Sequence, residues 1–281
     1  MDLVVQAALI GLLQGLTEFI PVSSSAHLEL FPWMAGWGSG GLIGSLAFDV
    51  FLHLGTLLAL LVYFARDWVR YIGAWLASIR DRRIGNDPER RLAWLLIIAT
   101  VPAAIIGFLG EDFIDSVFHG DSDAVRLAIA AFLVVGAVAL WLADRFGSHR
   151  HPMTELQAPS ALAIGFSQAL ALLPGISRSG ATITTGLALG LSREAAARFS
   201  FLLATPITLG AGLYGSRKLF TESHTSAEWL AISVGFAVAA ISGMLAIGFL
   251  LAWLRRRSVT LFSVYRIGFA AVIVLLVVLG R

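Results

Sequence analysis

Long apolar runs broken by short blocks of arginine constrain this chain more than any other feature. The runs lie at about Phe48–Phe64, Leu92–Leu109, Leu127–Leu142, Phe199–Tyr214, Trp229–Leu254 and Leu261–Leu279. Hydrophobic residues make up 58% of the 281 and charged residues only 14%, more apolar surface than one soluble core could hide. In hydrocarbon every backbone polar group must be paired within its own segment, so runs of this length read as membrane-spanning helices. The chain is therefore expected to be an all-α polytopic membrane protein. With no cysteine, disulfides, thiolate metal sites and cysteine nucleophiles are excluded. A net charge of +2, with the arginines gathered beside apolar runs, gives no nucleic-acid footprint. The first apolar run lacks a basic flank, so a cleaved signal peptide is not expected.

The distribution of arginine orients the spans. Arg66, Arg70, Arg80, Arg82, Arg83, Arg90 and Arg91 form one block and Arg255–Arg257 another, and the positive-inside rule places both in the cytoplasm. Arg145, His149, Arg150 and His151 follow the third span on the same side. The segment Gly110–Ala124 carries Glu111, Asp112, Asp115, Asp121 and Asp123 without Lys or Arg, and reads as an outer loop. Arg217 and Lys218 fall in an outer loop against the rule, outvoted by the larger blocks. On this reading both termini lie outside.

Two stretches do not fit the pattern of spans. The run Leu3–Ile20 carries Gln14 and Glu18 one helical turn apart and stops at Pro21, and the polar turn Pro21-Val22-Ser23-Ser24-Ser25-Ala26-His27 leads into a short apolar piece ending near Trp37. A glycine-rich connector, Gly36–Gly44, follows. Later, a short helix over Ser160–Leu173 meets Pro174-Gly175-Ile176-Ser177-Arg178-Ser179-Gly180-Ala181-Thr182 and a second short helix to Leu191. None of these pieces has the roughly twenty residues needed to cross, so each pair is expected to form a re-entrant hairpin.

The plan repeats. Gly11 and Gln14 match Gly165 and Gln168; Pro21 with its serines matches Pro174 with Ser177 and Ser179, allowing one inserted residue; Asp49 to Thr56 has the spacing of Arg198 to Thr205; Arg126 matches Arg266. Repeat one covers about 1–147 and repeat two about 158–281 of a single membrane domain, joined by Pro152–Pro159. Each has one hairpin and three spans, an odd number, so the repeats are expected to be inverted and their polar turns to meet near the midplane.

The chemistry available there is specific. Glu18 is a carboxylate in an apolar helix, and ionisable groups at such depth mark functional sites. Gln14 can orient Glu18, substrate or water. Among Ser23, Ser24 and Ser25 at least one is expected to cap the following helix. His27 can act as acid, base or nucleophile, or be held as a structural residue. On the other hairpin, Arg178 offers a fork for phosphate oxygens, with a helix N-terminus opening near Ser179. Together these groups suit phosphoryl transfer, with Glu18, His27, Ser24 and Arg178 as the catalytic candidates. One carboxylate is too few for an all-protein metal cage; Mg²⁺ or Ca²⁺ would be held largely by substrate phosphates, with Glu18 as a candidate ligand. A transporter or flippase with the same inverted repeats is the competing class, and a structural membrane subunit a weaker third.

The stretches Gln14–His27 and Pro174–Thr182 resemble the two signatures of the bacterial undecaprenyl-diphosphate phosphatase family of the bacitracin-resistance type, and the likeness in length and repeat plan runs along essentially the whole chain. The family pattern has Glu or Gln where Gln14 stands, Thr where Ser25 stands and Gly where Ala26 stands. The resemblance implies removal of the terminal phosphate from a C55 isoprenoid diphosphate, regenerating the lipid carrier of peptidoglycan synthesis, with links to cell shape and to resistance against the antibiotic bacitracin. It implies a site on the outer side of the cell inner membrane. It carries functional roles onto Gln14, Glu18, Ser24, His27, Ser177, Arg178 and Thr182, with Ser23 and Ser179 as neighbouring substrate-binding candidates. The expected partners are the lipid substrate and the bilayer. The small-residue step Gly186–Gly190 serves either internal packing or a homodimer.

Overall fold

The computed structural model describes residues 2–37, 41–118, 122–221 and 224–280, with backbone alone at 46, 111–116, 118 and 217–221. The first hairpin is α1 (Leu3–Phe19) and α2 (Ser24–Met34); α3 (Leu46–Tyr63) and α4 (Ala65–Arg80) follow, then α5 (Pro88–Phe118) and α6 (Asp123–Phe146). The second hairpin is α7 (Ala158–Ala169), a 3-10 turn over Leu170–Leu172 and α8 (Arg178–Ala188), followed by α9 (Arg193–Thr221), α10 (Ser226–Leu254) and α11 (Thr260–Val278). No strand occurs among the described residues.

Five helices, α5, α6, α9, α10 and α11, are long and apolar enough to cross a membrane, and the pair α3–α4 makes a sixth if taken as one broken span. Their outward faces need hydrocarbon. Phe108, Leu109, Val135, Leu245, Val264 and Leu275 are all more than half exposed, a continuous apolar exterior that water would not tolerate. The chain is a multi-pass membrane protein.

Two local expectations need correcting. Gly110–Phe118 is not loop: α5 runs through it, since nothing there breaks a helix before Gly120. In the same way α9 continues through 217 and 218 to Thr221. Asp121, part of the Gly36–Gly44 connector, and the side chains of Glu111, Asp112, Asp115, Arg217 and Lys218 lie outside the described residues. The first arginine block is itself largely helical. It spans α4, a turn and the start of α5, and α4 departs from α3 by 75° at Phe64. The bend is held from outside: Asp67 on α4 accepts from Arg198 of α9 at 2.6 Å, and the Arg198 guanidinium lies 5.4 Å above the Phe64 ring. Arg90 donates to Asp81 at 2.7 Å in the following turn and holds that carboxyl below its usual range.

The basic blocks gather at one end of the molecule. Asp144 at the end of α6 pairs with Arg193, Glu194 pairs with Arg255, and Arg91 donates to the Thr154 carbonyl in the connector between halves. That connector is pinned rather than loose, because Arg150 and His151 both donate to the Gly190 carbonyl at 3.0 Å and Ser192 donates back to His151. Gly186 packs on Ala196 and Gly190 sits at φ +88 beside Ser148 and His151, so the small-residue step is used inside the chain.

Packing in the two halves is interchangeable. Helix α1 lies on α10 while α7 lies on α5; α2 turns back on α1 and α8 on α7; α3 pairs with α9 and α6 with α11. The matched glycines make the same contact. A Cβ on Gly11 would fall 2.4 Å from the Gly235 carbonyl oxygen, and one on Gly165 would fall 2.2 Å from that of Ala99. Helix α6 serves as a ruler for the hairpins: Trp33, at the end of α2, lies under Arg126 in its first turn, while the Leu187 carbonyl, at the end of α8, abuts Gly147 just past its last. The open ends of the hairpins therefore lie at opposite ends of α6.

Because both helix pairs touch through glycine backbone, a branched side chain there cannot be absorbed by rotamer change. Gly11→Val and Gly165→Val should each cost about 1–3 kcal/mol through overpacking, read as a lowered melting temperature of the purified protein. Gly73→Ala, at an open position on α4, should leave it unchanged.

Candidate active site

Each hairpin breaks its helix in the same manner. Ser23 precedes α2 at φ 75° and Ser177 precedes α8 at φ 74°, a left-handed backbone that costs a serine about 1–3 kcal/mol and persists only where the surroundings enforce it. In both turns the serine hydroxyl lies 3.2 Å from that of the serine two residues on, Ser25 or Ser179. Gly175, at φ +105, lets the second turn press against α6, where a Cβ would meet the Ile129 carbonyl at 2.7 Å. The carbonyls of Gly175 and Ile176 that this turn leaves free accept from Arg266 at 2.8 and 3.0 Å. Arg266 is fully buried on α11 and also donates to the Leu133 carbonyl. Its sequence match Arg126 does a different task, pairing with Asp123 and covering Trp33.

The two turns meet at Glu18. Arg178, the first residue of α8, donates to Glu18 Oε1 at 2.5 Å. Ser24, the first residue of α2, donates to Glu18 Oε2 at 2.5 Å, and Gln14 donates to the same oxygen at 3.1 Å. Arg178 also donates to the Thr208 hydroxyl at 2.7 Å and the Ala204 carbonyl at 3.2 Å on α9. Glu18 is 7% exposed, whereas Ser24 and Arg178 are half-buried and approachable. The carboxylate, guanidinium and hydroxyl expected to converge do so across 160 residues of sequence. Gln14 is fully buried and its Oε1 has no partner in the structure.

Other candidates are placed differently. His27 is 3% exposed and both ring nitrogens are occupied: Nδ1 donates to the Ser23 carbonyl at 2.7 Å, and Nε2 accepts from the Tyr265 hydroxyl at 2.8 Å. A carbonyl can only accept, which fixes the tautomer. Its ring is also stacked on Phe269 at 4.3 Å. His27 thus clamps the strained turn, with both ring nitrogens engaged by the fold. Thr182, expected to bind substrate, faces away, bonded to the Ser200 hydroxyl at 2.6 Å and the Arg178 carbonyl at 2.8 Å. Ser177 caps α8 through the Gly180 N–H, and the helix starts at Arg178, next to the expected Ser179. Ser23 makes no side-chain cap on α2, and Ser24 is turned to Glu18 instead, so the expected serine cap is found only in the second hairpin. Ser23 and Ser179 are both buried.

Two polar residues at the site were missed. Thr208 supports Arg178, and His53 of α3 places Nε2 at 3.6 Å from Glu18 Oε2. His53 sits inside the apolar run Phe48–Phe64, and an imidazole at such depth was signal enough. Thr208 carried none, since a threonine in a span commonly bonds its own helix.

The family model described as bacitracin resistance protein BacA matches residues 7–272. The chain belongs to that family. Undecaprenyl-diphosphatases of two bacteria support the placement: the chain is 46% identical to that of Thermomicrobium roseum over 98% of its own length and 99% of the relative's, and 44% identical to that of Caldicellulosiruptor bescii over 95% of each. A third, from Pelobacter propionicus, is 43% identical over 98% of this chain and 97% of the relative.

Removing one member of the Glu18–Arg178 pair strands a buried charge. Arg178→Ala should lower stability by about 3–5 kcal/mol, and Arg178→Ala with Glu18→Gln should recover part of the loss. A double-mutant cycle of melting temperatures measures the coupling, and strictly additive effects would contradict the observed pair.

Proposed function

We propose that this chain is an undecaprenyl-diphosphate phosphatase, hydrolysing a C55 isoprenoid diphosphate to the monophosphate and inorganic phosphate for recycling of the lipid carrier in cell-wall synthesis. The observation that carries the reading is the Ser24 hydroxyl donating at 2.5 Å to a carboxylate whose other oxygen holds Arg178. That is a nucleophile beside a base, with a phosphate-binding fork on the far side. Family membership and the relatives' name support it.

Arg178 performs two tasks in turn. Without substrate it neutralises Glu18; an entering diphosphate competes for the same fork, and once Arg178 turns to the phosphate oxygens, Glu18 loses its counter-charge and becomes a better proton acceptor. Substrate binding thereby arms the base. Ser24 Oγ then attacks the terminal phosphorus, the bond from phosphorus to the bridging oxygen breaks, and the lipid monophosphate leaves with the electron pair. Water subsequently releases phosphate from Ser24. His27, Tyr265 and Arg266 hold the two turns in register while charge moves between them.

The divalent cation expected from the sequence finds no protein cage here. No group of three His, Cys, Asp or Glu residues capable of holding a metal occurs among the described residues, and both Glu18 oxygens are engaged by Arg178, Ser24 and Gln14. Mg²⁺ or Ca²⁺ would be held largely by the diphosphate, and Glu18 Oε1 could join it once Arg178 has turned to the phosphate.

We also infer that the halves are inverted repeats, supported by their interchangeable packing and by the opposed entry of the hairpins along α6. The basic end faces the cytoplasm of the inner membrane, with both termini and the opening of the site on the outer side, supported by the clustering of arginine blocks. A transporter would share this plan but has no need of a hydroxyl bonded to a carboxylate.

Purified Ser24→Ala and Glu18→Gln should each release phosphate from a polyprenyl diphosphate at least about 10²-fold more slowly than the parent. Turnover close to the parent in either variant would remove the assignment. A phosphorylated Ser24 peptide, found by mass spectrometry after rapid quench, would identify the attacking atom.

A further inference from the structure

We propose that His53 is the proton-holding partner of Glu18, receiving through that carboxylate the proton given up by the attacking Ser24 hydroxyl. The inference rests on the reading of Ser24 and Glu18 above and adds to it where the proton goes.

The geometry is that of an oriented imidazole. His53 Nδ1 lies 2.8 Å from the Asp49 carbonyl of its own helix. Since a carbonyl only accepts, Nδ1 carries the hydrogen and Nε2 is left with its lone pair. Nε2 faces Glu18 Oε2 at 3.6 Å, the same oxygen that accepts from Ser24. Two acceptors facing each other with no donor between them form a place for one proton, shared directly or through one water. Ser24 Oγ lies 2.5 Å and His53 Nε2 3.6 Å from the one oxygen, Glu18 Oε2, so a small approach of the imidazole completes the path.

Glu18 has reason to need such a partner. With Arg178 turned to the phosphate, Glu18 Oε2 still accepts from both Ser24 and Gln14, so a proton passing from Ser24 meets a crowded oxygen and is relieved by a second acceptor facing that same atom. An imidazole is the group whose basicity suits holding and returning a proton near neutral pH. The other imidazole near the turns cannot serve, because both nitrogens of His27 are bonded to the fold and its ring is covered. The His53 side chain is 35% exposed, so small solutes can reach it.

The steps balance. As Ser24 Oγ bonds to phosphorus and the bridging bond breaks, the hydroxyl proton passes by Glu18 to His53 Nε2, leaving an imidazolium beside a carboxylate. In the second step water bonds to phosphorus, the bond from phosphorus to Ser24 Oγ breaks, and His53 returns its proton to Ser24 by the same path. The hydrogens of that water leave with the phosphate.

The test uses the purified full-length protein and phosphate release from a polyprenyl diphosphate. His53→Gln keeps a polar group beside Glu18 but cannot hold a proton, so kcat should fall about 10²-fold with KM and melting temperature unchanged. In His53→Gly, added imidazole should restore turnover, whereas pyrazole, of the same shape but far weaker as a base, should not. An unchanged kcat in His53→Gln, a failure of imidazole to raise the His53→Gly rate, or equal rescue by pyrazole would each overturn the proposal. Ser24→Ala and Glu18→Gln run in parallel separate the two levels. If they retain turnover the site itself is misassigned; if they lose it while His53→Gln does not, only the proton path falls.

Discussion

The Glu18–Arg178 pair is the interaction on which this structure turns. Either charge alone at membrane depth would be costly, and the two belong to helical hairpins that enter from opposite ends of the bundle. Neither hairpin can settle without the other. Buried ion pairs seldom add net stability, because desolvation cancels much of the attraction, but they punish any arrangement in which the partners fail to meet. Here that penalty acts as a register: it fixes how far each hairpin penetrates, and so brings the Ser24 hydroxyl to the carboxylate.

Holding a broken helix inside a membrane demands that its freed backbone groups be satisfied, and the two halves do this by different means. In the second turn Arg266 takes the Gly175 and Ile176 carbonyls, and Ser177 caps α8. In the first turn His27 takes the Ser23 carbonyl, braced by Tyr265. Two residues that resemble catalytic groups, a histidine and an arginine, are therefore absorbed by the scaffold. The asymmetry gives the site its chemistry. The first helical residue after the turn is Arg178 in one hairpin and Ser24 in the other, so matched positions bring a guanidinium and a hydroxyl to the two oxygens of Glu18; Gln14 meets that carboxylate one turn on, whereas its match Gln168 is followed at the same spacing by Leu172 and has no side-chain partner. A symmetric backbone thus carries a one-sided set of functional groups.

Roles within the polar turns were less legible than the turns themselves. His27 looked reactive because an imidazole beside serines has reactive chemistry, yet whether its nitrogens are free depends on Tyr265 and Phe269, more than two hundred residues away in sequence. Thr182 followed the same logic, its hydroxyl claimed by Ser200. His53 was overlooked for the converse reason. It stands alone in an apolar run, with no motif around it, and gains a role only because α3 packs beside α1.

Hydrophobic run length, the absence of cysteine and the placement of arginine determined by themselves that the chain is helical, embedded in a membrane and broken at two polar turns, because these depend on the cost of exposing each segment to lipid or water. The paired glycines and serines likewise pointed to a repeat, a reading that the like packing of the halves supports. Which hydroxyl faces the carboxylate, which histidine is occupied and which arginine braces the second turn were decided only by tertiary structure. Those are questions of direction and of competition for partners, and a side chain's direction is set by the neighbours that packing brings to it.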